Sequence, residues 1–264
     1  MSSEELGLKS LVFYLLIFSR IGGLAIQAPL FASPHMPTPL KIGFIAIISL
    51  IFFWRLPIDV NSISFDLVWI LFNVGKEFLI GLIMGYFMIF VLYSIQGAGA
   101  LLDQQLGLST GASFDPQLGA VNMNARFFFY FAFTFLILNG GFYFILKAID
   151  FSFTVLPVAS YYNYSKDFIQ TLISLTNLFF YIAVHVAGAV LVAVFIGQVG
   201  LGLIARVAPQ SNVFMLSFPV NFMVGVFILS LTVPYIIELF NNHYLSYDYF
   251  ASWISDSIKS LKIK

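Results

Sequence analysis

Arg20, Lys76, Glu77 and Arg206 are ionisable side chains inside, or at the edge of, long apolar runs. A charge at hydrocarbon depth is costly, so each needs a partner, a watery cavity or a helix end. Arg20 lies near the middle of the run from Leu11 to Phe31, more than two helical turns from either end. That position favours a buried partner over a snorkelling side chain. Lys76 and Glu77 are adjacent, and neighbours on a helix point about 100° apart, so they pair poorly with each other. Either each has a partner elsewhere, or Lys76 closes one short helix and Glu77 opens the next; both readings stand. Arg206 falls beside Pro209, where the last carbonyls of a helix lack intrahelical partners. Its guanidinium is expected to cap those carbonyls or to meet an acid.

The residue sets that enzymes use are missing. The sequence has no Walker loop, no HExxH and no GxSxG. Gly200, Gly202 and Ala205 fit the spacing GxGxxA, but an apolar run precedes them and Pro209 follows, so the strand and helix of a dinucleotide site are absent. Of the acids, Glu77 alone sits in the middle of an apolar run, with Glu238 near the end of another. His35, His185 and His243 are far apart and make no ligand spacing, so no metal or other cofactor is expected. His185, inside an apolar span, reads as a hydrogen-bonded packing residue more readily than as a ligand. The chain has no Cys, which excludes disulfides and thiol chemistry.

The elements that must hold these side chains are those of a membrane protein. Apolar residues make up 60% of the sequence and charged residues 9%, where soluble domains carry about a quarter charged. The net charge of zero argues against nucleic acid as a partner. The expected fold is all-α, with about six apolar helical segments around a central glycine-rich loop. N-terminal segments occupy 11–95, the loop 96–126, C-terminal segments 127–240, and a Lys-ended tail 241–264 that the positive-inside tendency places in the cytoplasm. Lys147 to Asp167 reads as a Tyr-rich connector. Gly81 and Gly85, and again Ala189, Ala193 and Gly197, have the spacing of close helix contacts. Pro219 and Pro234 interrupt the last span, where kinks are expected. The stretch from Gln96 to Arg126 is small, polar and glycine-rich, with Asp103, Asp115 and Arg126 as its only charges. Irregular backbone survives at membrane depth only when protein buries it or when it lines a cavity. A loop held inside a membrane assembly and an ordinary extramembrane loop both remain open.

Glu77, Gly81 and Gly85, then Gly97-Ala98-Gly99, Asp103, Gly107 and Phe114-Asp115-Pro116 resemble the FliR family of flagellar export-gate proteins and its virulence counterparts in type III secretion. Arg20, Pro29, Pro37 and Lys41 resemble the family's N-terminal pattern, Asn139-Gly140 its asparagine-glycine step, and Ser152 with Pro157 its S…P pair. Gly202, Arg206, Ala208-Pro209-Gln210, Asn212 and Phe214 resemble its GxxxRxAPQxNxF block, the most specific match. The resemblance runs from about Leu11 to Phe240, and the Pro29–Lys41 block favours the flagellar branch over the virulence branch. Gln198 departs from an acidic position of many members, and Gly141 from a histidine, so roles of those two side chains are not carried over.

The resemblance implies a subunit, not an enzyme, of a protein-export gate in the bacterial inner membrane at the flagellar basal body. It implies assembly with FliP- and FliQ-like subunits, broken helical hairpins, and a funnel-like channel for unfolded protein substrates. The central loop would then be a pore plug, with Gly107, Gly111, Phe114, Asp115, Pro116, Asn122 and Met123 as its residues. Arg20, Lys76, Glu77, Arg206, Pro209, Gln210 and Asn212 would be buried polar or assembly positions facing partner subunits. A small-solute transporter or channel, with Lys76, Glu77 and the loop as its site, is the competing reading; it predicts an internal repeat, and none is evident.

Overall fold

The computed structural model describes residues 3–29, 31, 36–57, 63–108, 122–159, 166–210, 212–244, 252 and 256. Among them there is no strand. Seven long α-helices follow one another: α1 (Ser3–Gln27), α2 (Thr38–Arg55), α3 (Leu67–Gln105), α4 (Met123–Leu138), α5 (Gly141–Val155), α6 (Lys166–Val207) and α7 (Val213–Leu239), with a π-helical turn at Phe240–Tyr244. Five of them contain stretches long and apolar enough to cross a membrane, or six spans if α4 and α5 count as one broken span. The all-α, membrane-type architecture expected from the sequence is the one observed.

Local chemistry sets the helix limits. α2 opens with proline in its first turn, where a missing N–H costs nothing, and closes with Arg55 against the negative end of the dipole. α4 stops at Asn139, and Gly140 then takes φ 83°, a left-handed turn that glycine adopts without strain. α7 is capped by Asn212, whose Oδ1 accepts from the Met215 amide at 3.2 Å. Pro219 and Pro234 both lie within α7, which continues through them as one helix.

Three boundaries differ from the sequence reading. The loop expected from Gln96 is helical through Gln105, because Ala98, Leu102 and Leu106 bury their side chains and carry the apolar face onward. Glycines at 97 and 99 lower helix propensity, but packing overrides it. α3 also runs unbroken past Lys76 and Glu77, so the two-helix reading of that pair is wrong. The connector placed at Lys147 to Asp167 is helical through Val155, since Ala148, Ile149, Ser152 and Phe153 form a buried face of α5.

The chain divides into two compact units: residues 1–90, 140–172 and 250–264, and residues 91–139 and 173–249. In the first, α1 and α3 run parallel in close contact. A Cβ on Gly23 would strike the Phe78 carbonyl, one on Gly81 the Arg20 carbonyl, and one on Gly85 the Leu24 carbonyl. Leu16, Ile17, Leu24, Met84 and Phe87 fill the core beside this seam. α2 covers α1 through Phe53, whose ring meets Phe13 and Tyr14. In the second unit, α4 runs antiparallel to α3 and parallel to α7, with Phe240 set against Phe131 and Phe135. The second small-residue stripe behaves differently from the first: Ala189 is exposed, and a Cβ on Gly197 would meet nothing.

Candidate functional site

Arg20 and Glu77 form the centre of the first unit. Both are inaccessible, at 1% and 0% exposure. Arg20 Nε donates to Glu77 Oε2 at 2.6 Å, and Nη2 stands 2.5 Å from the same oxygen as an ionic contact without hydrogen-bond alignment. Nη1 donates to the Leu156 carbonyl at 2.8 Å and, more weakly, to the Ser152 carbonyl at 3.3 Å. Those carbonyls belong to the C-terminal end of α5, so the cation also complements that helix dipole. The guanidinium lies 4.4 Å from the centroid of Phe153. Glu77 Oε1 accepts from the Ala159 amide at 3.0 Å, and Ala159 holds φ 64°, a left-handed conformation unusual for alanine.

One ion pair thus ties α1, α3, the end of α5 and the turn after it. The glycine seam makes it possible, because α1 and α3 approach closely enough for the side chains to meet side-on. Lys76 is half-buried and donates to Asn73 Oδ1 at 2.8 Å, one turn back on α3. The expectation of a separate partner for each of this adjacent pair therefore holds.

Asp103 organises the second unit, and the sequence reading did not single it out for that role. It is wholly buried in the last turn of α3. Its Oδ1 accepts from the Asn124 amide at 3.0 Å and from Asn124 Nδ2 at 2.9 Å, and its Oδ2 accepts from the Ala125 amide at 3.0 Å. These amides are among the unpaired donors of the first turn of α4, and Asn122 at the N-cap position offers no side-chain cap. A carboxylate 21 and 22 positions earlier does the work of the cap. Gly99 permits it, since a Cβ there would strike the backbone of Asn124 and Ala125. The usable signal was an acid just before a glycine-rich break, followed by an asparagine-rich helix start without its own Ser, Thr or Asp cap.

This clamp fixes both ends of the segment expected to be a plug. Gly107 follows α3 with φ 77°, a helix-ending left-handed residue, and Asn122 and Met123 are exposed where α4 begins. Gly111, Phe114, Asp115 and Pro116 lie outside the described residues. The positions grouped as buried and polar do not stay together. Arg20 and Glu77 are buried, whereas Arg206, Pro209, Gln210 and Asn212 are exposed. They lie from the last turn of α6 to the N-cap of α7, and no described residue buries them. Among the described residues Arg206 caps no carbonyl and pairs with no acid; the α6 end is closed by the Ala208 amide on the Ile204 carbonyl at 2.8 Å.

His185 Nε2 lies 2.9 Å from the Tyr235 hydroxyl and joins α6 to α7, as a packing residue would. Among the described residues no group of three His, Asp or Glu could hold a metal ion. Asn221, in α7, buries an Oδ1 with no hydrogen-bond partner among the described residues.

Residues 11–246 match the family model described as bacterial export proteins, family 1. The chain is similar to the flagellar biosynthetic protein FliR of Bacillus subtilis, 28% identical over 87% of this chain and 89% of that one. It is 31% identical to FliR of Pectobacterium carotovorum over 87% of each. It is also 28% identical to the surface presentation of antigens protein SpaR of Shigella flexneri, over 65% of this chain and 66% of that protein.

Proposed function

We propose, from the premise that this chain belongs to the bacterial export proteins, family 1, that it is a structural and channel-forming subunit of a flagellar-type protein export gate. The observation that carries this reading is the family match over residues 11–246, with FliR proteins similar over nearly the same length. In this reading the chain sits in the bacterial inner membrane at the flagellar basal body and assembles with FliP- and FliQ-like subunits. It helps to conduct unfolded substrates, and the segment between α3 and α4 plugs the channel.

Two features of the chain support it. α3 has 39 residues and α6 has 42, so each is roughly 60 Å long, about twice the hydrocarbon thickness of a bilayer. Helices of that length in a chain with so much exposed apolar surface suit a subunit covered by others beyond the membrane. The Asp103 clamp also brings both ends of the plug segment to one rigid point, so the loop can be displaced without dismantling α3 or α4. The loop itself carries one acid between Gly107 and Asn124 and no base. Its hold on a channel would rest on a few apolar contacts, about 1 kcal/mol each, weak enough for an entering chain to displace.

The test is deletion of Leu108 to Val121 in cells that export flagellar protein. The truncated chain should still co-purify with FliP- and FliQ-like subunits, while the membrane becomes leaky to small ions and growth slows when the variant is overproduced. A deletion that assembles, exports normally and leaks nothing makes the segment a connector. Failure of the intact chain to co-purify with any export subunit sinks the reading as a whole.

A further inference from the structure

Among the described residues Ala159 is the only non-glycine with positive φ, at 64°. Ending α5 does not require it. That helix stops three residues earlier at Leu156, which has φ −122° and ψ 82° and whose amide closes the last turn on the Ser152 carbonyl at 2.8 Å. Pro157 follows, and a proline brings no N–H with which to continue a helix. Ala159 is also only half-buried, so the core does not press its methyl into place.

A hydrogen bond to a buried charge holds the strained residue. The Ala159 amide donates to Glu77 Oε1 at 3.0 Å, while Glu77 Oε2 accepts from Arg20 Nε at 2.6 Å. Arg20 also reaches this turn, with Nη1 on the Leu156 carbonyl at 2.8 Å. The ion pair thus grips the turn at two points, the cation at Leu156 and the anion at Ala159. Only the second grip is opposed by the backbone. The left-handed region disfavours an L-residue by roughly 5- to 30-fold. A hydrogen bond to a charged group favours the bound arrangement by roughly 10- to 150-fold. The two effects nearly offset, so the bound turn outweighs a relaxed one by about tenfold.

We propose that residues 156–159 form a two-state latch. In the closed state Ala159 is left-handed and its amide is bound to Glu77. In the open state Ala159 relaxes to negative φ and its amide turns from Glu77 to water. Arg20 keeps its bonds to Glu77 and to the Leu156 carbonyl in both states, so the buried pair and the end of α5 stay where they are. Opening leaves no charge uncompensated, because Arg20 still neutralises Glu77. Only the direction in which the chain leaves Ala159 towards α6 changes. One ion pair therefore does two jobs: it fixes α5 to α1 and α3 firmly, and it holds the exit from α5 reversibly. An adjustable joint of this kind lets the chain entering α6 take a new direction without breaking the core.

Hydrogen exchange resolved residue by residue by mass spectrometry tests this, on tagged full-length chain purified in mild detergent with whatever subunits accompany it. After correction for intrinsic rates, the Ala159 amide should exchange at least about tenfold faster than the Leu156 amide, which stays shut in both states. Ala159→Gly removes the backbone cost and should slow exchange at position 159 about fivefold or more, with Leu156 unchanged. Ala159→Val raises that cost, because a β-branched residue tolerates positive φ worst, and should speed exchange there towards the rate of an unprotected amide. Should Ala159→Val fail to accumulate, Ala159→Gly decides alone. The proposal is overturned by exchange at Ala159 within tenfold of that at Leu156, by no slowing in Ala159→Gly, or by no acceleration in Ala159→Val. A Leu156 amide that responds in step with position 159 overturns it too, since the whole turn would then open as one. So does an Ala159→Gly chain that no longer accumulates, because relief of strain cannot weaken a closed turn.

Discussion

At the scale of single residues, the two carboxylates Glu77 and Asp103 do different physical work. Glu77 neutralises a buried cation, so removing either member of its pair leaves an uncompensated charge in an apolar core. Arg20→Ala or Glu77→Ala is therefore expected to cost about 3–5 kcal/mol, whereas Arg20→Met combined with Glu77→Leu should recover much of that stability. Thermal unfolding of the purified assembly measures both, and a double variant no better than the singles would show that the pair does more than balance charge. Asp103 meets no cation among the described residues; it satisfies backbone donors. Asp103→Ala should cost about 1–3 kcal/mol and speed amide exchange at Asn124 and Ala125 above all. Uniform acceleration across the second unit would mean that the residue supports the whole unit, not one helix end. Asn221 runs the other way: its buried orphan oxygen is a liability in the chain alone, and Asn221→Leu should raise the melting temperature. The sequence made Arg20's need for a partner legible, because cost at membrane depth depends on position along the run alone. It could not name Glu77 as that partner, since the pairing depends on which helix lies beside α1.

At the scale of elements, glycine spacing told only half of the packing. Gly81 and Gly85 have the spacing of a contact face, and α1 does lie against them. Ala189, Ala193 and Gly197 have the same spacing, yet no described atom lies within 4 Å of a Cβ built on Gly197. Spacing says that a close approach is possible; a neighbour must exist for it to occur. Gly81→Ala should be severe, because the added methyl meets backbone that cannot rotate away and must force α1 off α3. Gly197→Ala should leave the chain's own stability unchanged or slightly improved, since alanine is the better helix former by about 1 kcal/mol. Circular dichroism melts of the two variants compare them directly, and equal losses would contradict the difference in packing. The boundary at Gln96 was illegible for a related reason: small residues lower helix propensity, but Ala98, Leu102 and Leu106 continue the buried face, and burial decides.

At the scale of the molecule, the chain presents apolar surface almost everywhere. Trp54, Val207, Leu138 and Met215 are exposed to between 71% and 86%, and α2 buries only Ile48, Ser49 and Phe52 of its 18 residues. Part of that surface belongs against lipid, but α3 and α6 are each about twice as long as lipid can cover. The excess must be covered by something else. Detergent can hide apolar area, but it supplies no structured neighbour to the exposed residues. We therefore expect the chain expressed alone to be short-lived and polydisperse in mild detergent. Co-expression with the FliP- and FliQ-like subunits should raise its yield several-fold and give one sharp species by size-exclusion chromatography. Protease should then spare the α6–α7 hairpin in the complex and cut it in the lone chain, because Val207, Met215 and Leu216 leave its turn exposed. A monodisperse lone chain with a protease-resistant hairpin would mean that the exposed surface is lipid-facing throughout, and the assembly reading would lose its physical basis.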